Sequence, residues 1–78
     1  MKIIYEFSDD EIGIIYLLYN STKGMSYSFL KELFPYKNIY DICDDLVKED
    51  LIFLRDDNYL LTIKMKNIIL NKTYKIHK

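Results

Sequence analysis

Three observations in this 78-residue chain predict an α+β, mostly helical fold of three helices, a short two-stranded hairpin and a closing helix. Residues suited to capping stand ahead of apolar segments at Ser8, Ser26, Asn38 and Thr62. Apolar residues recur at helical spacing from Ile39 to Val47. Two strand-forming runs, Leu51-Ile52-Phe53-Leu54 and Tyr59-Leu60-Leu61, flank Asp56-Asp57-Asn58, whose short polar side chains suit a tight turn.

The elements come in order along the chain. Met1 to Phe7 alternates loosely, with Ile3, Tyr5 and Phe7 on one side, as a short strand or extended arm would. Ser8-Asp9-Asp10-Glu11 is a capping box, because the Ser8 hydroxyl can accept a first-turn amide proton while Glu11 reaches back to the Ser8 amide. The acids also favour the positive end of the helix dipole. A first helix is therefore expected from Asp9 to about Asn20, with Gly24 the candidate for a positive φ in the exit.

Ser26 caps a shorter second helix with Phe29, Leu30, Leu33 and Phe34 on its apolar side, and Pro35 stops it because the residue before a proline is pushed out of the helical region. Asn38 then opens a third helix reaching about Glu49, with Ile39, Ile42, Cys43, Leu46 and Val47 as its core stripe. The connection between the second and third helices is about four residues long, as a helix-turn-helix requires. After the hairpin, Thr62 caps a last helix expected from Ile63 to about Lys75, with a basic tail to Lys78. The whole is read as a single domain, residues 1–78.

The order of two helices joined by a tight turn, a wing and a final helix resembles a winged helix-turn-helix domain of the small prokaryotic, archaeal or viral transcriptional regulator type. Leu61-Thr62-Ile63-Lys64 is similar to the step from wing to final helix in those regulators, although they often carry glycine where this chain has Met65. Leu46-Val47-Lys48-Glu49-Asp50-Leu51-Ile52 is similar to their helix-three exit, with Asp50 in place of the usual glycine. Asp tolerates left-handed backbone better than most residues do. The resemblance implies sequence-specific binding of double-stranded DNA, with the third helix in the major groove.

Composition narrows the alternatives. Half of the residues are hydrophobic, so a globular core is expected. No apolar stretch is long enough to span a bilayer, and no signal pattern opens the chain, so a cytoplasmic protein without a membrane partner is expected. A single Cys43 and a single His77 offer neither a disulfide nor a zinc-ligand spacing, and no metal or cofactor is expected. No catalytic residue is expected either. Cys43 falls on the core stripe, His77 lies near the end, and the acid pairs Asp9-Asp10, Asp44-Asp45 and Asp56-Asp57 occupy a cap, a helix face and a turn.

The net charge of −1 conceals an asymmetry: twelve acids face six cations through Asp57, a net −6, whereas five lysines and no acid lie beyond Asn58, a net +5. If the third helix reads DNA, Tyr36, Lys37, Asn38, Tyr40 and Asp41 are its readers, with Lys37 suited to phosphate or guanine and Asn38 to adenine unless it serves as the cap. Arg55 at the wing tip suits a minor groove, and Lys64 suits flanking phosphates. Asp41, Asp44 and Asp45 oppose this reading. They can instead pair with Lys37 or Lys48, and the alternative is a protein-interaction module that uses an acidic helix-three face, as an inhibitor or nucleic-acid mimic would.

The first helix is apolar nearly all round, so it must be buried on every side. A homodimer formed by Ile12, Ile15, Tyr16 and Tyr19 with Ile68 and Ile69 of the last helix would satisfy this, as would the N-terminal arm of the same chain.

Overall fold

In the computed structural model, which describes residues 3–35 and 37–77, the chain runs β1 (Tyr5–Ser8), α1 (Asp9–Tyr19), β2 (Met25–Ser26), α2 (Tyr27–Leu33), α3 (Ile39–Lys48), β3 (Ile52–Arg55), β4 (Asn58–Leu61), α4 (Ile63–Asn71) and β5 (Tyr74–His77). This is a winged helix-turn-helix-like arrangement. The sheet at its base has the order β2-β4-β3 and is antiparallel throughout, with Arg55 opposite Asn58 at the tip and Ile52 opposite Leu61 at the root.

Local chemistry accounts for the boundaries. The Ser8 capping box is complete: Glu11 donates its amide to Ser8 Oγ at 3.2 Å and its carboxylate accepts the Ser8 amide at 2.9 Å. Ser26 caps α2 and Asn38 caps α3. The exit of α3 is a Schellman motif with Asp50 left-handed at φ 61°: its amide donates to the Val47 carbonyl and the Leu51 amide donates to that of Leu46, both at 3.0 Å. Thr62 joins wing and last helix, accepting the Met65 amide while its hydroxyl reaches the Asp50 carbonyl at 2.8 Å.

One core serves the chain. Ile14, Ile15, Leu30, Cys43, Leu46, Leu51 and Met65 are wholly excluded from solvent, and Phe7, Ile39, Ile52 and Leu61 nearly so. Each such aliphatic side chain contributes roughly 1.5–3 kcal/mol relative to exposure. Of the expected stripe on α3, Ile39, Cys43 and Leu46 are buried and Ile42 is half-buried, but Val47 is 38% exposed at the edge.

One expectation needs correction. The last helix does not continue to Lys75: Lys72 adopts φ 54°, and a second Schellman motif, with Lys72 donating to Ile69 and Thr73 to Ile68, ends it at Asn71. Beyond it, β5 pairs in parallel with β1, Phe7 beside Ile76 and Glu6 beside Lys75, whose side chains form an ion pair at 3.2 Å. The hairpin also gains a third strand, β2, whose two residues pair with Tyr59 and Asn58 and are too few to show a period.

For α1 the sequence leaves two covers open, a second copy or the N-terminal arm. Its apolar excess is covered within the chain, because the β1–β5 ribbon lies over it and the phenolic oxygens of Tyr16 and Tyr74 share a hydrogen bond. Ile12, Ile15 and Ile68 sit in the core of the chain, at 6%, 0% and 5% exposure. Ile69 is half-buried, and only Tyr16 and Tyr19 of the expected dimer residues are exposed.

Candidate nucleic-acid or protein interface at helix three and the wing

The face that a winged helix presents to a ligand is assembled here from α3, the turn before it and the β3–β4 hairpin. Asn38 is committed to the helix start: its Oδ1 accepts the Asp41 amide at 3.3 Å while its Nδ2 donates to the Asp41 carboxylate at 2.7 Å. This engages both ends of the amide, together with one of the carboxylates. Tyr40 projects outward at 60% exposure and meets Tyr27 edge-on, with ring centroids 6.3 Å apart. Tyr36 lies outside the described residues.

The other outward residues of α3 include three acids, with Val47 and Lys48 exposed beside them. Asp41 and Asp45 are exposed, and Asp44 is half-exposed beside Lys48, 3.0 Å away and one turn on. That hydrogen bond, and after it the Asp44 charge, raises the pKa of the Lys48 ammonium. At the wing tip, Asp56 and Asp57 both take positive φ, 52° and 66°, the geometry of a type I′ turn whose twist matches the strands. Arg55 stands exposed just before them.

The lysines expected at a DNA-facing surface each have a partner within the chain or line a hollow. Lys37 approaches Asp10 of α1 at 3.4 Å. Lys64 donates to the Glu49 carbonyl at 3.2 Å and lies over the Tyr5 ring, 5.7 Å from its centroid. Lys37 and Lys64 thus mark opposite ends of α3, a ten-residue helix roughly 15 Å long. Lys66 lines a different hollow, of about 280 Å³, with Leu18, Tyr19 and Leu60.

A groove that the sequence did not announce lies between α2, α3 and the wing. It measures about 460 Å³ and is lined by Tyr27, Tyr40, Leu54 and Tyr59 together with Ser26, Ser28 and Asp57. Tyr59 is buried, and its phenol is raised in pKa first by that burial and then by neighbours including Cys43, Tyr40 and Asp44. Its walls come from separate elements, so no linear motif marks them. Among the described residues no three His, Cys, Asp or Glu side chains gather as metal ligands would, and no helix is long and apolar enough to cross a membrane.

Comparison with protein families, with curated proteins and with solved structures finds no match to this chain.

Proposed function

We propose that the α3 and wing face binds a protein, making the chain a winged-helix interaction module. The observation that carries this is the sign of the face: Asp41, Asp44, Asp45, Asp56 and Asp57 project there, against Lys37, Lys48 and Arg55, the first two already beside carboxylates. A duplex carries one negative charge for about every 1.7 Å of its axis, and affinity for it comes largely from cations that displace its counterions. An acidic surface repels such a ligand at every register. This reverses the order in which the sequence ranks the two readings.

The second reading, a small transcriptional regulator binding specific double-stranded DNA, is favoured by the winged helix-turn-helix-like arrangement and by the exposed Arg55, whose position suits a minor groove. Selection from random duplexes at low salt, and titration of whatever is recovered, separates the two. The protein reading expects no preferred sequence, and Asp45→Asn leaves duplex affinity low. Recovery of a defined site, with Lys37→Ala and Arg55→Ala each weakening it, would replace the protein reading with the DNA one.

A further inference from the structure

We infer that the groove between Tyr27, Tyr40, Leu54 and Tyr59 receives a long cationic side chain, arginine or lysine, from an extended basic segment of a protein partner. The inference rests on the protein-binding reading and names the partner chemistry of that same face.

The groove asks for two properties at once. Its walls are three tyrosine rings and the exposed Leu54, which favour an apolar stem. Asp57 is among its lining residues, and Asp56 stands exposed beside it at the wing tip. A purely apolar side chain would leave these carboxylates without benefit, and an acidic one would be repelled. A lysine or arginine lays its methylene stem along the rings while its charged head stays near the carboxylates and water. Aromatic faces attract the same head through their quadrupole, as Lys31 already does over the Tyr27 ring, 5.9 Å from the centroid. Asp41, Asp45 and Asp56 extend the negative field beyond the groove, so neighbouring cations on the same segment gain as well.

The test is a nuclear magnetic resonance titration of the full chain with short blocked peptides of alternating arginine–glycine, norleucine–glycine and glutamate–glycine, and with a random-sequence duplex. The arginine peptide alone should move the amide signals of Tyr27, Tyr40, Leu54, Asp57 and Tyr59. Tyr40→Ala, at an exposed position, and Asp57→Asn should each weaken that binding by roughly threefold to thirtyfold while the spectrum stays that of a folded chain. If the arginine peptide moves only Asp41 and Asp45, or the norleucine peptide binds equally well, the groove inference fails while the acidic protein-binding face survives. If the duplex moves Lys37, Tyr40 and Arg55 and the arginine peptide moves nothing, the inference and the reading beneath it both fall.

Discussion

Asn38 and Asp41 close on each other through both ends of the Asn38 amide, 3.3 Å to the Asp41 backbone and 2.7 Å to its carboxylate. The same side chain that could have read a base therefore holds the start of α3. Asn38→Ala is expected to lower stability by about 1 kcal/mol, as loss of a helix cap does. Denaturant unfolding measures that loss. Duplex binding, if any, should not change, and a large selective loss of duplex affinity with stability intact would return Asn38 to the role of reader.

Ile15 lies at zero exposure within the core. Ile15→Ala should cost about 2–5 kcal/mol through lost burial and the cavity left behind. Ile15→Asp should unfold the chain, since a carboxylate there has no water and no partner. Circular dichroism with sedimentation checks this: a folded Ile15→Asp monomer derived from a wild-type dimer would restore the helix-one interface.

Gly24 takes φ 80°, and a Cβ there would collide with the Tyr59 carbonyl oxygen and press on Leu60. Both the backbone and the space require glycine. Gly24→Ala should destabilise by about 1–3 kcal/mol and loosen β2 from β4. Hydrogen exchange at the amides of residues 25 and 59 would register the loosening, and unchanged protection would contradict it.

Cys43 is wholly excluded from solvent, and burial pushes its thiol from 9.0 up to about 11. Since the folded state holds the proton to higher pH than the unfolded state, the stability linked to this group is full below pH 9.0 and is lost as pH rises through about 11. Native-state alkylation near neutral pH should be slow and should become rapid on unfolding. Fast labelling of the folded chain would place the thiol at the surface and turn α3 on its axis.

The starts of α1, α2 and α3 were legible because capping is local: Ser8 with Glu11, Ser26, and Asn38 with Asp41 each act within one helical turn. The left-handed Gly24 and Asp50 were legible for the same reason, since few residue types tolerate that geometry. Lys72 escaped notice because lysine gives no such signal. Its αL conformation depends on the strand after it, and only the pairing of Tyr74 to His77 with β1 makes a strand more favourable there than further helix.

What this chain determined through its sequence is therefore its helices, its wing and the acidic character of α3, all carried by residues within a few positions of one another. Tertiary structure decided what covers the apolar first helix, because Tyr5 meets Tyr74 and Tyr16 meets Tyr74 across separations that no local pattern records. It also decided how the α3 and wing face is assembled. Lys37 could point at a ligand or at Asp10, and Tyr27, Tyr40 and Tyr59 could lie anywhere until α2, α3 and β4 packed together; their positions result from how the shared core closes, and that is a property of the whole chain.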